Sequence, residues 1–240
     1  LIIKKSFIIT LFIVFFIIHD NSYSTEKSSK DSGIISIMYH RFEENKYPST
    51  NIKTTDFKSH LQIIKDLNYK FISHKEFIEF IDSKSENKKI LLTIDDGFSS
   101  FYKNAWPILK KEKIPFIIFI NTESVGSPGY MDWEELKEIS ESELVHIGNH
   151  SHSHGYLVDK SDDEIRKDIE ISIKLLEEKL GNKTKFFAYP FGEYKNSYKK
   201  IVKDLGFNYG FGQHSGVMDL TKDKFELPRF PINEKYGEIK

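Results

Sequence analysis

The sequence contains no cysteine, which excludes disulfide bonds, thiolate metal sites and cysteine nucleophiles. Any metal ion would therefore be held by histidine or carboxylate side chains. The net charge is only -1, from 35 basic and 36 acidic residues, so the chain lacks the basic surface of a nucleic-acid-binding protein and we expect no nucleic-acid partner. Glycine and proline are few, at 13 and 7 residues, which excludes collagen-like and low-complexity chains.

One long apolar run is present, close to the N-terminus. Lys4 and Lys5 precede an apolar segment over residues 7–18, and Ser22-Tyr23-Ser24 follows with the small-x-small pattern of a cleavage site. Twelve residues span only about 18 Å as a helix, whereas the hydrocarbon core of a bilayer is roughly 30 Å thick. We therefore expect a secretory signal peptide over residues 1–24, with an uncleaved membrane anchor as the alternative. Either reading predicts an exported protein, periplasmic or secreted.

Beyond a short linker at residues 25–33, apolar segments alternate with segments of helical period. The apolar segments are mostly continuous, as in strands buried on both faces of a parallel sheet. These repeated units predict one α/β domain over residues 34–240, a barrel or incomplete barrel. The predicted strands are 34–38, 90–94, 116–120, 145–148, 186–189 and 209–211, and the predicted helices are 55–67, 74–83, 101–111, 133–139, 162–180 and 196–205.

The first candidate motif is TIDDG at residues 93–97, where two carboxylates follow a predicted strand. Neighbouring side chains at a strand end point in different directions, so one carboxylate can hold a metal while the other faces a reacting water. The alternative is an ordinary turn, since Asp and Gly are common turn residues.

The second motif is HSHSH at residues 150–154, directly after another predicted strand. In a helical conformation His150 and His154 share one face and His152 points away, and in an extended conformation all three share a face. Both geometries allow His150 and His154 to bind one ion. With one carboxylate from Asp95 or Asp96 they would leave an open position for water, as catalytic zinc sites do. A solvated polar loop is the alternative.

The third motif is FAYPFG at residues 187–192, at the end of a third predicted strand. Proline fixes one backbone angle and glycine frees another, which suits a loop that presents a backbone amide in a set direction. By itself the motif could equally be a simple strand-ending turn.

Together, TIDDG, HSHSH and YPFG make residues 34–232 resemble the polysaccharide deacetylase family, which has the NodB-homology domain. The resemblance implies a distorted (β/α) barrel, one divalent metal ion and the hydrolysis of acetyl groups from N-acetylated sugars. It implies that Asp95 is the general base and that the metal ligands are Asp96, His150 and His154. The backbone amide of Phe191 would help stabilise the oxyanion, and Tyr189 and Pro190 of the same motif are further candidates for oxyanion or substrate binding.

The sequence departs from the usual family pattern at two points. Ala188 stands where the family has an arginine that orients the base, and Arg229 is a candidate to replace it. The family's late Leu-x-His motif is also missing. Met38-Tyr39-His40 resembles the branch that acts on biofilm poly-N-acetylglucosamine, so His40 is the first candidate for the general acid and His214 the second.

Trp133 either stacks on a sugar ring or opens a helix by packing inward.

Zinc is the expected metal, although nickel, cobalt and iron suit the same ligands. We expect a monomer that acts on an N-acetylated polysaccharide, with N-acetylglucosamine polymers favoured over xylan-like substrates. The alternatives are a non-catalytic binding relative, an O-acetyl esterase and a two-metal phosphoesterase, which usually needs more bridging carboxylates than this set offers. A two-carboxylate glycosidase is a weaker alternative, because adjacent residues cannot easily straddle a glycosidic bond with carboxyl groups about 5 to 9.5 Å apart.

Overall fold

The computed structural model describes residues 31–81, 88–219 and 222–234. The predicted signal peptide lies outside the described residues. None of the helices within these three ranges is both long and apolar enough to cross a bilayer. The strands are β1 (Asp31–Tyr39), β2 (Arg41–Phe42), β3 (Asn51–Ile52), β4 (Lys70–Phe71), β5 (Lys89–Asp95), β6 (Phe116–Ile120), β7 (Val145–Asn149), β8 (Phe186–Ala188), β9 (Tyr209–Phe211), β10 (Val217–Asp219) and β11 (Phe230–Pro231). The α-helices are α1 (Thr54–Asp66), α2 (His74–Ile81), α3 (Trp106–Glu112), α4 (Trp133–Ser140), α5 (Asp162–Leu180) and α6 (Asn196–Asp204).

Nine of these strands form one curled sheet. Its order is β10-β1-β5-β6-β7-β8-β9, with β11 beside β1 and β4 beside β5. The pairs from β1 through β5, β6, β7 and β8 to β9 are all parallel, and β10 is antiparallel to β1. The sheet is an incomplete barrel surrounded by helices, which confirms the predicted α/β fold and single domain.

Alternate residues of the central strands enter two different core clusters. Ile90, Leu92 and Ile94 of β5 pack with side chains of α1, α3 and α4, whereas Leu91 packs with the inner residues of neighbouring strands and with α2. Both faces of the strand are therefore buried, which explains its continuous apolar sequence. Because side chains alternate along a strand, Asp95 shares the inner face with Leu91.

The helices follow the predicted pattern with one correction. Helix α5 has its capping box between Ser161 and Glu164, and Gly181 ends it in the left-handed conformation at φ 63°, as the sequence signals indicate. The single helix predicted over 101–111 is wrong, because residues Phe101–Ala105 form a π-helical turn before α3. Pro107 lacks the backbone N–H that a regular helix would use at this point.

Parallel pairing brings several strand ends to one edge of the barrel. Tyr39 pairs with Ile94, and Asn149 pairs with both Ile120 and Phe187. The residues that follow β1, β5, β7 and β8 are thus collected at the same end, where α/β barrels carry their functional groups.

Candidate active site at the carboxyl ends of the strands

Three potential metal ligands converge at this edge. The Oδ1 atom of Asp96 lies 3.2 Å from Nε2 of His154 and 3.5 Å from Nε2 of His150. The ligand atoms of all three residues lie within 4.8 Å of one another. Two imidazoles and one carboxylate are a donor set that suits zinc and related divalent ions, so the residues present fit such a metal.

The His150 ring is held in the form that binds a metal. Its Nδ1 lies 2.7 Å from the carbonyl oxygen of Ala188, so Nδ1 carries the proton and Nε2 keeps its lone pair facing Asp96. Burial lowers the pKa of His150 to about 3 and also lowers the pKa of His154. Both rings are therefore neutral near pH 7, as metal ligation requires.

Asp95 forms a buried, bidentate ion pair with Arg229. The two guanidinium nitrogens of Arg229 donate to Oδ1 and Oδ2 at 2.7 and 2.8 Å, and its Nε donates to the Gly212 carbonyl at 2.9 Å. Burial by itself raises the pKa of Asp95, but Arg229, His150 and His40 outweigh that effect and bring it down to about 2. Asp95 is consequently ionised throughout the neutral range.

Asp96 differs from its neighbour in both backbone and charge. Its φ of 72° lies in the left-handed region, which is uncommon for non-glycine residues, although aspartate adopts it more readily than most. Burial raises the pKa of Asp96 to about 6; the Asp95 charge adds to this effect, while His40 opposes it. Asn121 donates from Nδ2 to Oδ1 of Asp96 at 3.3 Å. The two adjacent carboxylates therefore have clearly separated protonation behaviour.

The loop that carries His150 and His154, the two candidate histidine ligands, is neither helical nor extended. Ser151 and His154 both have positive φ, at 69° and 50°. Asp168 of α5 accepts hydrogen bonds from the backbone amides of His152 and Ser153 at 2.8 and 3.1 Å. The Ser151 hydroxyl accepts from the His154 amide at 3.1 Å. These bonds stabilise a backbone that the sequence alone would not prefer, and they bring His150 and His154 together.

Of the two histidines considered as general acid, only His40 has a described interaction with the carboxylates. It is half-buried directly after β1, and its electrostatic interaction with Asp95 and Asp96 lowers the pKa of both carboxyl groups. The His214 side chain is exposed, and its backbone carbonyl accepts from the Arg229 amide at 3.0 Å. Within the described ranges no hydrogen bond or ion pair joins the His214 ring to the carboxylates.

The third motif forms a tight turn at the same edge. Phe191 has φ 59° and ψ 5°, and its ring is 51% exposed at 4.8 Å from the His154 ring. Pro190 and Tyr189 are buried, and the Tyr189 ring packs against Tyr198 in a core cluster. The Tyr189 side chain is therefore part of the core and Pro190 is buried, and it is Phe191 that the turn presents to the site.

Trp133 is the first residue of α4 and packs, partly buried, against the core cluster of the outer helices. Trp133 thus opens the helix by packing inward, the second of the two arrangements considered for it.

Two residues at the site were not foreseen from the sequence. Asn121 directly follows β6, so its place at a strand end was a usable signal. Asp168 is one of many charged residues on α5, and nothing in the sequence distinguishes it.

A family model described as polysaccharide deacetylase matches residues 82–210. The poly-beta-1,6-N-acetyl-D-glucosamine N-deacetylase of Staphylococcus aureus (strain MSSA476) is 25% identical over 233 residues, which cover 85% of this chain and 80% of that protein. Among solved structures, IcaB from Ammonifex degensii is 27% identical with a TM-score of 0.77, over 85% of this chain and 93% of that one. The Streptococcus pyogenes deacetylase PplD is 25% identical with a TM-score of 0.76, over 84% and 92% of the two chains. Because the family model matches more than half of the chain, this protein belongs to the polysaccharide deacetylase family.

Proposed function

We propose that the protein is a metal-dependent hydrolase that removes acetyl groups from an N-acetylated polysaccharide, with an N-acetylglucosamine polymer as the favoured substrate. The observation that carries the proposal is the Asp96, His150 and His154 cluster beside an ionised Asp95 at the strand ends. The likeness to the Staphylococcus aureus enzyme, whose name states that substrate, supports the choice of polymer.

The metal would be held by Asp96, His150 and His154, and zinc suits these ligands, as do nickel, cobalt and iron. A bound divalent ion lowers the pKa of water from 15.7 to about 7 and polarises an acyl oxygen, which is the chemistry that amide hydrolysis needs. His150 is kept in the correct tautomer by the Ala188 carbonyl.

We assign Asp95 as the base that takes a proton from the attacking water. It is ionised near pH 7, and Arg229 fixes the direction of both carboxylate oxygens. A carboxylate with so low a pKa is a weak proton acceptor, so it depends on a water that is already acidified. Arg229 supplies the orienting guanidinium that Ala188 cannot.

The leaving amine requires a proton, and we assign its delivery to His40. This side chain acts electrostatically on both Asp95 and Asp96, whereas His214 has no described interaction with them. The backbone amide of Phe191, in its left-handed turn, is the proposed donor to the oxyanion. One such donor typically contributes about 3 to 4 kcal/mol to the lowering of the barrier.

Export to the periplasm or the exterior, through the segment at residues 1–24, remains part of the proposal, as do a monomeric state and no membrane contact other than an uncleaved N-terminus. A decayed binding relative and an O-acetyl esterase are the alternatives. The intact Asp95 and metal cluster argue against decay.

The test is acetate release from N-acetylglucosamine oligomers by the purified protein, with and without added zinc. Asp95→Asn and His150→Ala are compared with Asp204→Asn, which removes an exposed carboxylate on α6. Metal-dependent release that disappears in the first two variants and persists in the third supports the proposal. Release from acetylated xylan alone indicates an esterase, and tight metal binding without any release indicates a binding relative. A protein that binds no metal would contradict the site assignment.

A further inference from the structure

Two large apolar side chains are exposed and touch each other beside the metal cluster. Phe191 is 51% exposed and Tyr156 is 43% exposed. Their ring centroids are 5.7 Å apart, and the Phe191 ring lies 4.8 Å from that of His154. Single exposed apolar side chains are common on protein surfaces, but this pair forms a continuous surface that begins at a metal ligand and extends outward. We call the pair Tyr156 and Phe191 the aromatic shelf.

The shelf is held in place from both sides. The Tyr156 hydroxyl donates a hydrogen bond to the Glu193 carboxylate, which joins the loop after β7 to the turn after β8. Behind Phe191, a Cβ on Gly192 would come within 2.2 Å of the Gln213 side chain, so this turn is packed against its neighbour. Leu157, next to Tyr156, is buried in a core cluster. The rings are therefore exposed on a fixed backbone.

The chemistry of the shelf fits a sugar ring. A pyranose has apolar C–H groups on its faces and hydroxyl groups at its edge, which match an aromatic surface bordered by a carboxylate. Two side chains offer far less area than the roughly 1,000 Å² that a stable protein interface buries. The observations thus favour a carbohydrate over a protein partner.

The order of the rings indicates which sugar would bind. Phe191 contacts both His154 and Tyr156, so Tyr156 extends the surface one ring further from the metal cluster. A sugar unit that places its acetamide at Asp96 and His154 would leave the outer part of the shelf for the next unit of the chain.

We propose that the aromatic shelf binds the sugar unit adjacent to the one being deacetylated, and that Tyr156 makes the enzyme prefer oligomers and polymers to short substrates. This inference rests on the proposed deacetylase function. Tyr156 is then a specificity-determining residue, with Glu193 positioning its ring.

The experiment compares Tyr156→Ala with Tyr156→Phe, which keeps the ring and loses the bond to Glu193. The matched control is Tyr102→Ala, because the Tyr102 hydroxyl donates to the Glu138 carboxylate in the outer helical layer. Acetate release is measured on N-acetylglucosamine oligomers of two to six units, and zinc-dependent hydrolysis of 4-nitrophenyl acetate reports on the reaction centre alone. Binding of the six-unit oligomer is measured by calorimetry in the His150→Ala background.

Tyr156→Ala should lower kcat/KM for the six-unit oligomer about tenfold through KM, the effect of one lost aromatic contact. Its hydrolysis of the small ester should stay within about twofold, a difference that is negligible in free energy. Tyr156→Phe should retain most of the preference for long oligomers, and Tyr102→Ala all of it. An equal loss on the ester, or an unchanged dependence on chain length, would overturn the proposal.

Calorimetry separates the two proposals. If the wild-type protein releases no acetate but Tyr156→Ala weakens oligomer binding about tenfold, the shelf is supported and the deacetylase function fails. If oligomer binding is the same with and without the Tyr156 ring, the shelf proposal fails whether or not acetate is released.

Discussion

Replacing Arg229 with alanine removes the only described cation that contacts Asp95 directly, and it does so in the interior of the barrel. The side chains of Arg229 and Asp95 are 1% and 3% exposed. Their two parallel hydrogen bonds, at 2.7 and 2.8 Å, are the strong bidentate form. The variant leaves a buried carboxylate without its partner, and the Gly212 carbonyl loses one hydrogen bond.

Loss of one partner from a buried ion pair costs about 3–5 kcal/mol. For a domain of this size each kcal/mol lowers the melting temperature by about 2–4 °C, so we expect a decrease of about 6–20 °C. The pKa of Asp95 is low in the folded protein, so the pair stabilises the fold above the unfolded value of about 3.9 and stops doing so as the pH falls towards about 2. The difference between variant and wild type should therefore shrink below pH about 4.

The assay is urea unfolding of the purified protein at pH 7 and at pH 3, with Arg166→Ala as the control. Arg166 makes an exposed ion pair with Asp204 at 3.6 Å, which is expected to contribute less than about 1 kcal/mol. The double variant Arg229→Ala with Asp95→Asn should be more stable than Arg229→Ala alone, because it no longer buries an unpaired charge. Acetate release should show a lower kcat, with an unchanged metal content.

Two results would refute this reasoning. One is an Arg229→Ala protein whose stability at pH 7 lies within about 1 kcal/mol of the wild type, the value of a surface pair. The other is additivity of the Arg229 and Asp95 substitutions, which would mean that the two side chains do not interact.

Three further predictions concern the support of the site and the base of the barrel. Asp168→Asn weakens the hydrogen bonds that Asp168 accepts from the backbone amides of His152 and Ser153. We expect it to raise the metal Kd at least about tenfold in a chelator competition, because loss of the hydrogen-bond partners around metal ligands has this effect. The His146 ring stacks on His74 at 4.0 Å, and burial lowers its pKa to about 3. The unfolded chain therefore binds the proton better, and stability should fall as the pH drops below about 6.5 in urea titrations, with a weaker dependence in His146→Gln. Gly192→Ala should cost more than about 2 kcal/mol in thermal unfolding, because Gly192 has φ 71° and its added Cβ would meet Gln213 at 2.2 Å.

Each of these predictions has its own control. Glu170→Gln removes an exposed charge from the same helix as Asp168. An equal loss of metal affinity in this variant would contradict the role of the Asp168 hydrogen bonds. An unchanged pH dependence in His146→Gln would show that the stacked pair does not control acid stability. Gly126 has φ 81° with no atom within 4 Å of an added Cβ, so Gly126→Ala should cost less than Gly192→Ala. Equal costs would mean that the contact with Gln213 is easily relieved.

The sequence by itself determined which segments form the central strands and where the reactive side chains lie on them. Strands buried on both faces must be continuously apolar, so β5, β6 and β7 are visible as such, and the polar residues that end them stand out. The positions of Asp95, Asp96 and His150 follow from this contrast. The strands β2, β3, β4, β10 and β11 were missed. Each has only two or three residues, and four of the five include a charged or polar residue, so no apolar run marks them.

Only the tertiary structure decided which side chains complete the site. Arg229 meets Asp95 across 134 residues of sequence, and Asp168 reaches the histidine loop from the middle of a helix. The family resemblance made Arg229 a candidate, but nothing in its local sequence shows that it meets Asp95, and Asp168 is one of many charged residues on α5. Tyr156 likewise joins Phe191 only because β7 and β8 are neighbours. Such contacts depend on how strands and helices are placed in three dimensions, and local sequence carries no signal for that placement.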